Sequence, residues 1–116
     1  MQRRTAILAS LAAMLPVAAR AHHGWGSYQP DKPLTLTGIV KTSAFENPHG
    51  ILGLQTPDKL WEVVLSPPSR MISRGLQPEM IKVGEEVQVM GYPHRSREIE
   101  LRAEWIKVKE TTTQLR

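Results

Sequence analysis

Four histidines in a chain without cysteine set the chemistry open to this protein: His22, His23, His49 and His94. Lack of thiolate excludes zinc and copper sites built on sulfur anions, so a metal would rest on imidazole, carboxylate, methionine or an amine. His22 and His23 follow Ala19-Arg20-Ala21, a small-x-small pattern that a signal peptidase cuts. Cleavage after Ala21 gives His22 a free α-amine beside its own imidazole, the two-nitrogen chelate of a histidine brace. Copper(II) accepts tetragonal nitrogen donors and tops the divalent affinity order. A terminal amine, with an ordinary pKa of about 7.7 to 8, gives up its proton readily to such an ion. Cuts one or two residues earlier put His23 or His22 third, where it closes a square-planar set with the amine and intervening amides. One more imidazole completes the set, and His49 is the candidate. The expected metal ligands are therefore His22, His23 and His49, with copper as the cofactor. The competing reading is a solvated tail, since chain ends commonly fray.

That chemistry depends on export. Arg3 and Arg4 give a positive start, and Thr5 to Val17 is almost wholly apolar and small. With the cleavage pattern at 19–21, these make a complete signal peptide over residues 1–21. The apolar run stops at Pro16, well short of the roughly 20 residues that span a bilayer, so no stable membrane span is expected after cleavage. The expected location is the periplasm. The paired arginines also fit the route for folded cargo, though Ala6 stands where a bulky apolar residue is usual.

Cleavage removes 21 of 116 residues, among them Arg3, Arg4 and Arg20, so 12 basic side chains then face 11 acidic ones. The net charge falls from +4 to +1. Most non-specific affinity for nucleic acid comes from a positive field, so nucleic acid is not an expected partner. The remaining 95 residues make one small domain with a compact core. No paired carboxylates, nucleophile elbow, phosphate loop or zinc spacing is present, and enzymatic turnover is not expected. An oxidative copper enzyme would need a substrate groove and general acid that the motifs do not identify.

Gly, Pro and Ser from His22 to Pro33 indicate an extended arm over residues 22–33, pinned by Trp25 and Tyr28. Leu34 to Phe45 reads as a long first strand, with Gly38 marking a bulge or bend. Ile51 to Thr56 and the alternation of Trp61, Val63 and Leu65 give two more strands, joined at Pro57-Asp58-Lys59. Ser66 and Pro67 start a short helix that Gly75 stops, with Met71 and Leu76 at the apolar positions of a Schellman ending. A further turn is expected at Pro78 to Ile81. Val87 and Val89 mark a fourth strand, and Ile99, Leu101, Ala103 and Trp105 a fifth. The apolar phase then slips to Ile106 and Val108, as a bulge would cause. Three strands, a helix and two strands give an all-β fold class: a small five-stranded Greek-key barrel of the oligonucleotide/oligosaccharide-binding (OB) type over residues 34–110, followed by a tail at 111–116. An SH3-like barrel is the main rival, and the helix between strands three and four favours the OB form.

On that barrel His49 lies in the loop after strand one and His94 in the loop after strand four, the two loops bordering the usual binding face. Either is also ordinary as a turn residue, and Arg95 and Arg97 beside His94 oppose an added cation. Met71, Met80 and Met90 stand where packing is expected. Trp61 and Trp105 are expected in the core, and Glu85, Glu86, Glu98, Glu100 and Glu104 at the surface. A different class of function is a metal-free module binding a peptide, glycan, other small ligand or envelope protein through Trp25, Tyr28, Tyr92 and Arg95.

The motifs His22-His23-Gly24, Thr35-Leu36-Thr37-Gly38, Asn47-Pro48-His49 and Trp61-Glu62 occur together in this chain. So do the Pro67 to Gly75 helix and Gly84-Glu85-Glu86-Val87 leading to Gly91-Tyr92-Pro93. In combination they resemble a family of small exported Gram-negative bacterial proteins known as a domain of unknown function. Phe45 stands where that family often has tryptophan, and His94 is outside the pattern. The resemblance implies export and a small β-barrel, and no established activity.

Overall fold

The computed structural model describes residues 24–116; the expected signal peptide, His22 and His23 lie outside the described residues. Five strands close a barrel: β1 (Leu34–Ala44), β2 (Ile51–Gln55), β3 (Leu60–Val64), β4 (Glu86–Pro93) and β5 (Glu100–Val108). β1 pairs antiparallel with β2 and with β4, β2 with β3, and β4 with β5. A parallel pairing of β3 with β5, Val63 opposite Leu101, closes the circuit. That circuit, with helix α1 (Pro68–Ser73) between β3 and β4, is the OB-type barrel expected. Closure protects the edges that an open sheet would present to other chains.

Alternation fills the interior. Leu52 and Leu54 on β2, Trp61 and Val63 on β3, Val87 and Val89 on β4, and Leu101 and Ala103 on β5 are buried in one cluster. Met71 from α1 and Leu76 after it plug the end of that cluster. Gly75 takes φ +94, the Leu76 amide donates to the Met71 carbonyl at 2.9 Å, and the Gly75 amide donates to Ile72 at 3.0 Å. These are the two hydrogen bonds of a Schellman ending. The helix start differs from expectation. Pro67 is the N-cap residue, and the Ser66 hydroxyl instead donates to the Leu115 carbonyl.

Long strands bend where the register slips. β1 slips between Val40 and Thr42, three residues beyond Gly38. At Gly38 itself a Cβ would fall 2.3 Å from the Gln55 carbonyl oxygen, so the glycine permits a close strand approach. On β5 the slip leaves Glu104 unpaired between Ala103 and Trp105, and burial then passes to Ile106 and Val108. Trp105 is half-buried on the outer side of this bulge, in place of its expected core position; Trp61 fills the core alone. Residues 111–116 also differ from a tail. Thr111–Gln114 forms a sixth strand, β6, against β5, and Leu115 packs into the core.

Candidate functional site

The N-terminal arm does not float free of the barrel. Residues 25–27 make one 3-10 turn, and Tyr28 forms a β-bridge to His94. The Gln29 amide donates to the Pro93 carbonyl at 2.9 Å, and the Arg95 amide donates to Ser27 at 2.9 Å. Arg95 Nε–H adds a bond to the Gly26 carbonyl at 3.0 Å. These bonds hold the arm along the β4–β5 loop and across the outer face of β5.

Between the arm, the β1–β2 loop and the β4–β5 loop lies a cleft of about 350 Å³, within the size range of small-ligand pockets. Its walls include Gly24, Tyr28, His49, His94, Glu100 and Arg102. The two loop histidines expected to border a binding face therefore line one cleft, together with the first described residue of the arm. His23, bonded to Gly24, is outside the described residues.

The roles of the two histidines differ. His94 Nδ1 accepts the backbone amides of Ser96 and Arg97, each at 3.1 Å, which fixes it as a loop-closing acceptor. Its ring meets Tyr28 edge-on at 5.2 Å. His49 is half-buried, with Nε2 3.3 Å from Arg102 Nη2. Burial, then the charges of Arg102 and Arg70, hold the His49 imidazole below its ordinary pKa.

The outer side of β5 presents Glu100, Arg102 and Glu104 in alternation, and the arm folds over them. Glu100 is only 7% exposed, which corrects its expected surface position. Its carboxylate accepts the Tyr28 hydroxyl and pairs with Arg97, which reaches Glu62 as well at 3.3 Å. Burial, then that bond and the Glu100 charge, push the Tyr28 phenol far above its ordinary pKa. Glu104 accepts the Tyr92 hydroxyl at 3.1 Å and Arg116 at 3.3 Å. Arg102 lies over the Trp25 ring at 4.5 Å, a contact in which the ring quadrupole attracts the cation. Trp25 also meets Tyr92 edge-on at 6.1 Å, so aromatic residues of arm and barrel interlock around the arginine.

Sequence reasoning passed over Glu100 and Arg102. The signal was the alternation Glu100-Leu101-Arg102-Ala103-Glu104, whose polar side reads as solvent-facing until the arm is laid on it. Among the described residues no group of three or more histidine, aspartate or glutamate side chains is arranged to hold a metal. No described helix is long and apolar enough to cross a membrane.

The chain belongs to a family of unknown function, DUF6152, whose model matches residues 9–101. The match takes in the arm, both cleft loops and the first two residues of β5, and ends one residue before Arg102. No curated protein matches the chain.

Proposed function

We propose that this is a periplasmic small β-barrel protein that binds copper(II) through its processed N-terminus, using the α-amine, His22 or His23, and His49. The observation carrying this reading is that Gly24, to which His23 is bonded, lines the same cleft as His49. The processed chain end has to reach His49 from Gly24 over one or two residues, each spanning about 3.8 Å at most. Anchoring of the described arm to the barrel through Gly26 and Tyr28 would lower the entropy lost on chelation. Burial lowers the His49 pKa, which reduces the competition of protons with a metal at that ring. Its Nδ1 makes no hydrogen bond among the described residues. The Arg102 charge opposes a second cation nearby, which leaves most of the affinity to the terminal amine and its own histidine.

Copper titration of the exported, correctly processed chain should give one tight equivalent. Combined His22→Ala and His23→Ala, or acetylation of the amine, should abolish that binding, and His49→Ala should weaken it. Unchanged affinity after the histidine pair is removed would defeat the proposal. Mass spectrometry of the secreted chain fixes the terminal residue on which the chelate depends.

A second reading, a metal-free recognition module for a peptide, glycan or envelope protein, is favoured by one observation. Trp25, Tyr28 and Tyr92 interlock beside the cleft, while Arg95 holds the arm through Gly26. Retention of an envelope component in the presence of chelator, lost on Tyr92→Ala, would support it over copper.

A further inference from the structure

Arg102 forms part of the cleft wall without a carboxylate of its own. Its neighbours on β5 are both engaged elsewhere: Glu100 with Tyr28 and Arg97, Glu104 with Tyr92 and Arg116. No salt bridge reaches Arg102 among the described residues, and its buried Nε–H has no hydrogen-bond partner there. Taking a guanidinium out of water costs free energy that a paired anion normally offsets. What Arg102 has instead is the face of Trp25, the Tyr28 ring at 5.9 Å and one long contact to the His49 imidazole. The packing holds the guanidinium plane in place while leaving it without a salt bridge and its Nε–H without a partner among the described residues. A rigid, partly desolvated guanidinium is suited to grip a planar anion through paired N–H donors.

We propose that the cleft binds a small organic monocarboxylate, its carboxylate paired with Arg102 and its apolar part against Ile51 and Val64. Both apolar residues line the cleft, and its volume of about 350 Å³ suits a small ligand. Inorganic phosphate has no apolar part for Ile51 and Val64 to hold, so the site favours the organic carboxylate over it. This inference stands apart from the copper proposal, because Arg102 acts on the anion without a metal.

The test uses the processed chain in excess chelator, with benzoate, benzamide and inorganic phosphate as probes followed by NMR. Benzoate should shift the side-chain signals of His49 and Tyr28 saturably at about millimolar concentration, while benzamide and phosphate leave them in place. Arg102→Lys keeps the charge but loses the fork, and should weaken benzoate binding at least about tenfold. Lys82→Ala removes an exposed cation outside the cleft and should leave binding unchanged. Should Arg102→Lys fail to fold, the wild-type response of His49 and Tyr28 decides alone. The inference is overturned if benzamide equals benzoate, if phosphate binds more tightly, if Arg102→Lys binds as well as wild type, or if benzoate leaves His49 and Tyr28 unmoved. Since chelator is present throughout, a negative result bears on the carboxylate site and leaves the copper proposal to its own titration.

Discussion

The Tyr28 hydroxyl donates to the carboxylate of Glu100 across 72 residues of sequence, tying the arm to the first residue of β5. Both groups are buried, and loss of the Tyr28 hydroxyl would leave one Glu100 oxygen without its donor while the other keeps Arg97. Tyr28→Phe should therefore cost about 1 to 3 kcal/mol, more than an average hydrogen bond contributes. Urea unfolding measures the loss. Faster amide exchange at Gln29 and Arg95, whose amides join arm and loop, would locate it.

The same bond predicts a behaviour in alkali. Both tyrosines are held above the ordinary phenol pKa of 10.0, Tyr28 by burial and Glu100, Tyr92 by burial and Glu104. A raised folded-state value favours the native state fully below pH 10 and withdraws that contribution as pH rises through the folded value. Tyrosinate absorbance of the folded protein should stay low at pH 10 and jump on unfolding. Stability should fall with pH above that point, less steeply in Tyr28→Phe. A folded protein that titrates like free tyrosine would contradict this account.

His49 gives the opposite pH sign. Its imidazole is depressed below 6.5 by burial first and by Arg102 and Arg70 next. The stabilising contribution is present above pH 6.5 and is lost as pH falls through the folded value. Arg102→Gln should raise the His49 pKa only part of the way to 6.5, because burial remains the larger cause. An NMR titration of the ring proton reads this directly. A full return to 6.5 would make Arg102 the dominant influence and contradict the ordering.

What the sequence made legible follows from periodicity. Leu52, Leu54, Val87 and Val89 alternate, Gly75 stops a helix, and the break in apolar phase beside Trp105 announces a bulge, which falls at Glu104, one position before Trp105; each depends on near neighbours alone. The barrel follows from the order of those elements. Glu100 and Arg102 were not legible, because their burial comes from an arm more than seventy residues away in the chain. Ser66 misled for a similar reason: its hydroxyl suits a helix cap locally, but the Leu115 carbonyl reaches it first. Long-range cover overrides local preference at each of these positions.

The C-terminal segment carries its own prediction. Leu115 is buried with the barrel core, its amide donates to the Glu104 carbonyl at 2.8 Å, and its carbonyl accepts from Ser66. Leu115→Ala should destabilise by about 2 to 4 kcal/mol, the usual cost of emptying a buried leucine site. Removal of residues 115–116 should cost at least as much. A truncated chain as stable as the full one in urea would show that Leu115 and its hydrogen bonds contribute nothing.

Gly91 offers the sharpest test of how the barrel sets the cleft. It stands at the β4–β5 register slip, where a Cβ would fall 2.2 Å from the Arg102 carbonyl oxygen and 2.9 Å from the Ala103 Cα. These are backbone atoms of a paired strand and cannot swing aside as a flexible side chain would. Gly91→Ala must therefore push β5 away, at a cost of about 1 to 3 kcal/mol or more. Because the displaced residue is Arg102 itself, the same change should move the guanidinium off Trp25 and disturb His49. Gly24→Ala, with no atom within 4 Å of its added carbon, tests the opposite case on the facing wall of the cleft. Thermal unfolding should show a clear fall in Tm for Gly91→Ala and almost none for Gly24→Ala. The His49 ring signals should shift only in Gly91→Ala. Equal stability of the two variants would mean that β4 and β5 are not held as closely at the bulge as this packing requires.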